Sequence, residues 1–182
     1  MPIIRIKSQH GGDYYLDDNG GILPNSKYTS DLIIATGNIN NIFAKLYIAP
    51  LAKAISASPF WINQIEQINV LPDYGIELVP RVGDHIIFMG YLPLNRNRWT
   101  RNREISSFVN NKLSRLEKFY RYGLSQVGWN KYSYIDIEFD NQIVCKRRDA
   151  EAERKEAEAI TKEAKEEKKK DRQRTEEEER EK

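Results

Sequence analysis

Apolar and charged positions alternate in the first residues, where "IIRIK" (3–7) sets Ile4 and Ile6 against charged neighbours. That is the two-residue period of a half-buried strand. In "YYLDDNGGIL" the residues Asp18, Asn19, Gly20 and Gly21 separate two apolar runs, and these residue types tolerate the backbone of a hairpin turn. "DLIIATG" reads as a third strand, closed by Gly37. Residues 49–58 change period: Leu51, Ala54, Ile55 and Ser58 share one helical face, Pro50 suits a first turn, and the helix stops before Pro59. "WINQIEQINVLP" and "YGIELVPRVGDHIIFMG" return to strand character, with turns at Pro72–Gly75 and Val82–Asp84, and so predict successive hairpins. The strongest helical stripe is Ile105, Phe108, Val109, Leu113, Leu116, Phe119 and Tyr120 within residues 104–122, with Gly123 as a left-handed C-cap. "YIDIEF" then alternates Ile135, Ile137 and Phe139 against Asp136 and Glu138, Asp140 and Asn141 turn the chain, and "QIVCK" runs back. The expected class is α+β, a mainly antiparallel sheet of successive hairpins with two packed helices.

Composition divides the chain after residue 148. Residues 149–182 contain no Gly, Pro or aromatic residue, and Ile160 is their only large apolar side chain. Such a segment cannot bury a core, so a charged helical or disordered tail is expected there. Glu151 and Lys155, Glu158 and Lys162, and Glu166 and Lys170 stand four apart in the favourable order, each pair contributing about 0.2–0.5 kcal/mol to a helix. Apolar a and d positions of a coiled coil are missing. The predicted organisation is a folded domain over 1–148 and a tail over 149–182.

Charge changes the functional picture little. The body carries 18 Lys and Arg against 13 Asp and Glu, net +5, and the tail 11 against 14, net -3. A phosphate-tracking protein shows a denser basic stripe interleaved with aromatics. The one candidate is "RNRWTRNR" (96–103), with Arg96, Arg98, Arg101 and Arg103 around Trp99. It reads as a solvated basic loop entering a helix, or else as a binding module for nucleic acid or an anionic membrane surface. No apolar run approaches the ~20 residues of a membrane helix, and "MPIIRIK" has no signal-peptide core. As written, the chain is expected to be soluble.

Candidate chemistry is sparse. His10 and His85 are the only histidines, and no pairing with metal-ligand spacing occurs. His85 reads as a strand residue. GxSxG, a P-loop and GxGxxG are all missing. Asp17 and Asp18 precede Asn19, Gly20 and Gly21 and read as turn formers rather than paired catalytic carboxylates. Cys145 is the sole cysteine, with Lys146, Arg147 and Arg148 as cations that could lower a thiol pKa but no base beside it. No catalytic residue, cofactor or metal is expected.

Several stretches in order carry a resemblance: "YYLDDNGGILPNS", "LIIATG", "SPFWINQIEQINV", "IELVPRVGDHIIFMG" and "KLSRLEKFYRYGLSQVGWNKYSYIDIEFDNQIVCKRR". The LxPRVGxH hairpin, the LxxFYxxGL helix and the GWNKYSxIxIxFxNQIVCK ending together resemble the periplasmic β-domain of the bacterial cell-division family FtsQ/DivIB, in its Bacteroidetes-type form. The resemblance spans roughly residues 2–148, and "PIIRI" resembles the strand leaving the POTRA domain that precedes the β-domain in typical members, after a membrane helix. It implies a non-enzymatic divisome scaffold at the periplasmic side of the inner membrane, at the septum, with no small-molecule substrate. It also implies partners similar to the division proteins FtsB and FtsL, received by strand addition at the last strand, and other divisome components. Gln142, Ile143, Val144, Cys145 and Lys146 match that receiving strand, Arg147 extends it, and Tyr134 matches an aromatic near the contact. Where other members often carry a basic residue just before that tyrosine, this chain has Ser133.

Overall fold

The structure, a computed structural model, describes residues 1–9, 11–23 and 31–180. It divides into two compact units, Met1–Lys146 and Arg147–Lys182.

The first unit carries β1 (Pro2–Ile6), β2 (Tyr14–Asp17), β3 (Ile22–Leu23), β4 (Ile33–Gly37), β5 (Ile65–Val70), β6 (Ile76–Pro80), β7 (Ile86–Gly90), β8 (Tyr132–Asp136) and the start of β9 (Val144–Arg147). Among the described residues these form one sheet in the order β3-β2-β1-β4-β5-β6-β7-β8-β9. The expected α+β class with a mostly antiparallel sheet is what the chain adopts. Hairpins supply the antiparallel pairs β1–β2, β2–β3, β5–β6 and β6–β7. The pairs β1–β4, β4–β5 and β7–β8 are parallel. A parallel neighbour needs a crossover rather than a tight turn, and two of these three joins enclose a helix that returns the chain to its starting end. A register shift between Ile65 and Gln67 lets both Ile65 and Ile68 point into the core. Gly37 closes β4 at φ +96°, and a Cβ there would lie 2.1 Å from the Val70 carbonyl oxygen, so only glycine fits.

The first helical segment starts earlier than the residue pattern indicates. It runs through α1 (Asn41–Phe43), a π-helical turn (Ala44–Ile48) and α2 (Ala49–Ser56). Asn40 caps it, its Oδ1 accepting from the Phe43 N–H at 2.8 Å. Pro50 therefore lies inside a longer helical run and not at its beginning. With no N–H, it cannot serve the Leu46 carbonyl four residues back. That oxygen accepts instead from Arg101 Nε at 3.0 Å.

A 3₁₀ turn (Trp61–Asn63) sends Trp61 into the core, where Nε1 donates to the Leu113 carbonyl at 3.2 Å. Helix α3 (Arg98–Phe119) lays Ile105, Val109, Leu113 and Leu116 on the sheet, as its stripe predicts. The expected cap at Gly123 is not one. Gly123 lies in a π-helical turn (Tyr120–Leu124) that continues into α4 (Ser125–Val127), and Gly128, at φ +99°, ends the helix. The π turn brings Tyr120 and Leu124 together into the core, which a glycine stop at 123 would have prevented.

His85 sits immediately before β7, fully buried, its Nε2 sharing a 2.5 Å hydrogen bond with the Tyr120 hydroxyl. The turn reading of Asp17 holds: its carboxylate accepts from the N–H groups of Gly21 at 2.7 Å and Asn19 at 2.9 Å, which hold its pKa below the usual value.

In the second unit, α5 (Arg148–Arg180) is a 33-residue helix. Ile160 stands 61% exposed on it, and Thr161 Oγ1 donates to the Ala157 carbonyl within the helix.

Candidate partner-binding edge

Among the described residues strand β9 ends the sheet order, with β8 as its one neighbour. The chain reaches it through residues 137–143, and side chains of α3 fix that connection. Lys112, 6% exposed, donates from Nζ to the Glu138 carbonyl and lies 3.4 Å from Asp140 Oδ1. Arg115 donates from Nη1 to the Phe139 carbonyl at 2.8 Å and from Nη2 to the Ile137 carbonyl at 3.1 Å. Three successive carbonyls are thus occupied by a helix rather than a strand. The Asp136 carboxylate accepts from the Glu138 N–H at 2.8 Å and bends the chain at the same place.

These bonds explain two departures from the residue pattern. β8 stops at Asp136, so the Ile135–Ile137–Phe139 alternation breaks: Ile135 and Ile137 are buried and Phe139 is 49% exposed. β9 begins at Val144, so Gln142 and Ile143 lie in the connection before it. Neither Lys112 nor Arg115 stood out in the sequence. The available signal was Lys112 lying between Val109 and Leu113 on an otherwise apolar stripe.

Along the edge, side chains divide by parity. Ile143 and Cys145 are half-buried against the core, while Gln142, Val144, Lys146 and Arg147 are exposed. Burial pushes the Cys145 thiol up, so the nearby cations do not activate it. Ser133 Oγ donates to the Lys146 carbonyl at 3.5 Å, which places that carbonyl on the β8 side. In an antiparallel strand a residue's N–H and C=O point the same way and its neighbours' point oppositely. The Cys145 backbone groups accordingly face away from β8.

Tyr134 lies one strand inward, on the sheet face opposite the core. Its ring stacks on Phe88 of β7 at 6.4 Å, and its hydroxyl donates to Glu77 Oε1 at 3.3 Å. Glu77 Oε2 accepts from Asn69 Nδ2 at 3.0 Å, Asn69 Oδ1 accepts from Thr36 Oγ1 at 3.3 Å, and Gln67 Nε2 donates to Thr36 Oγ1 at 2.8 Å. A polar chain thus crosses from β4 to β8. The structure brings Tyr134 into this network, and places Gln142–Arg147 along the edge beside it.

Burial, with Glu77 beside it, raises the Tyr134 phenol well above 10, and burial alone does the same for Tyr120. A raised folded-state pKa stabilises the fold fully below the unfolded phenol's ~10 and is lost as pH rises beyond it. The urea midpoint is therefore expected to fall between pH 8 and pH 11. Tyr134→Phe should show a smaller fall, because its share of the titration is gone. Identical falls in both proteins would show that Tyr134 contributes nothing.

The basic stretch 96–103 is not a solvated loop. Arg98 begins α3, Asn97 caps it by accepting from the Thr100 N–H at 3.1 Å, and Arg101 is only 5% exposed. Arg96, Arg98 and Arg103 remain exposed. Among the described residues, no group of three His, Cys, Asp or Glu side chains converges as metal ligands. No helix of the described residues is long and apolar enough to cross a membrane.

No curated protein matches the chain. The family model described as FtsQ/DivIB, C-terminal related, matches residues 1–146. That match takes in every strand from β1 to β8, the helices that cover them and most of the β9 edge, and the chain belongs to the FtsQ/DivIB C-terminal-related family.

Proposed function

We propose that this chain is a non-enzymatic scaffold of the bacterial division machinery that receives a partner's β-strand along β9. Its family supplies the cell-division role and is a family of non-enzymatic scaffolds. The observation that carries the finer reading is the position of β9: last in the sheet order, short, and with the Cys145 backbone turned outward. An edge strand with outward donors and acceptors is a template for another chain unless charge, proline or a bulge blunts it. β9 contains no proline, its first half (Val144, Cys145) carries no charge, and its protection comes from Lys146 and Arg147 alone. The partner strand would lie against Val144, Cys145, Lys146 and Arg147, with Gln142, Ile143 and Tyr134 at its margins. FtsB- and FtsL-like division proteins are the partners this reading names, at the periplasmic side of the septal membrane.

The reading includes an autonomous domain over residues 1–148 and a tail over 149–182 that adds nothing to its stability. Two truncations test both statements. A chain ending at Arg148 is expected to melt within a few degrees of the full chain and to bind an FtsB-like segment equally well. A chain ending at Asn141 should lose that binding. A large fall in melting temperature for the first would show that the tail packs on the body. Retained binding by the second would place the partner elsewhere.

A further inference from the structure

Among the unassigned features of the first unit is a cavity of about 210 Å³ between the β2–β3 turn, the first helical segment and the start of α3. Its lining includes three cations, Lys45, Arg98 and Arg101, and one carboxylate, Asp18. Arg101 is buried, and it donates to three backbone carbonyls, Leu46 at 3.0 Å, Asn95 at 3.3 Å and Arg96 at 3.0 Å. Carbonyl dipoles take the Nε and Nη1 donors without neutralising the charge, and among the described residues no carboxylate forms an ion pair with Arg101, Lys45 or Arg98. Asp18 offsets one of the three charges, so the cavity keeps a net charge of about +2, with Arg101 buried at its base and Lys45 and Arg98 exposed at its rim. The volume admits a tetrahedral oxyanion with a few waters of ~30 Å³ each.

What stands around the cavity narrows the source of that anion. Trp99, next to Arg98 in the first turn of α3, is 86% exposed, and Leu94 is 60% exposed. The bonds from Arg101 to the Asn95 and Arg96 carbonyls tie the segment carrying Leu94 to the cavity wall. Large apolar side chains left in water beside cations suit the boundary layer of a bilayer, where tryptophan rings settle and basic residues meet phosphates. A nucleic acid strand would call for cations spaced along a track, and these converge on one concavity.

We propose that this cavity takes the phosphate of an anionic lipid headgroup while Trp99 and Leu94 enter the interfacial layer. The site is independent of strand addition at β9.

Cosedimentation of the full chain with vesicles tests it. Phosphatidylcholine vesicles containing phosphatidylglycerol should bind the chain and shift its tryptophan emission to the blue, and pure phosphatidylcholine should do neither. Trp99→Phe should abolish the shift, since Trp61 is buried and Trp129, edge-on against Tyr120, does not line the cavity. The double variant Lys45→Ala/Arg98→Ala, at two exposed positions, should lose about tenfold or more in vesicle affinity with an unchanged melting temperature. Inorganic phosphate alone should leave the emission unmoved. Equal binding to neutral vesicles, or an unweakened double variant, overturns the proposal. So does binding of free phosphate or duplex DNA, lost in the double variant, without binding to vesicles.

Discussion

Cys145→Pro is expected to abolish binding of an FtsB-like strand while leaving the domain folded, with a melting temperature within a few degrees of the parent. Proline removes one backbone N–H and is tolerated on an edge where that N–H faces away from the sheet. The Lys146 carbonyl lies on the β8 side, so the Cys145 N–H points outward, where an added strand would take it. Val144 and Lys146 have the opposite parity. Proline at either removes a donor directed at β8, and each variant should lose about 1–3 kcal/mol of stability. Cys145→Val keeps the N–H and a half-buried side chain of similar size, and should bind as the parent does. Urea denaturation and titration calorimetry with the partner segment separate the two effects. If Cys145→Pro binds as tightly as the parent, strand addition at this edge is wrong.

Arg101→Met should destabilise the first unit by about 3 kcal/mol or more, whereas Arg98→Ser should stay within about 0.5 kcal/mol of the parent. The guanidinium occupies the Leu46, Asn95 and Arg96 carbonyls, and Pro50 cannot supply the helical donor that Leu46 would otherwise receive. Methionine fills similar space and leaves those oxygens to find water in a buried setting, at a cost of about 1–3 kcal/mol for each that fails. The cation also lies 5.6 Å from the Tyr47 ring, a contact the variant loses. Chemical denaturation of the two variants is the measurement. A difference of less than 1 kcal/mol between them would show that water replaces the guanidinium without loss, and that Arg101 is no part of the framework.

Two arginines three residues apart on one helix thus receive opposite predictions, which local pattern could not have supplied. Periodicity made the strands, the α3 stripe and the Asp17 turn legible, because each depends on neighbours within a few residues. The same local signals misplaced the helix end at Gly123, where the packing of Tyr120 and Leu124 favours a π turn over a glycine stop. They also began the first helix at residue 49, because Pro50 is compatible with a first turn and nothing nearby reveals Arg101.

At the candidate site the residue types and a last strand running back after the Asp140–Asn141 turn follow from the sequence, but the continuous apolar run Ile143–Cys145 does not show that Val144 is exposed or that β9 starts there. The position of β9 at the end of the order β7-β8-β9 does not follow from the sequence either. Neither does the anchoring of residues 137–139 by Lys112 and Arg115, nor the direction in which the Cys145 N–H points. Side-chain alternation reports which face of a strand meets apolar surroundings. It carries no information about which edge has a neighbour, because backbone hydrogen bonds lie in the plane of the sheet and are available to every residue type, proline lacking only the donor. The pairing of that edge is decided by contacts between residues distant in the chain.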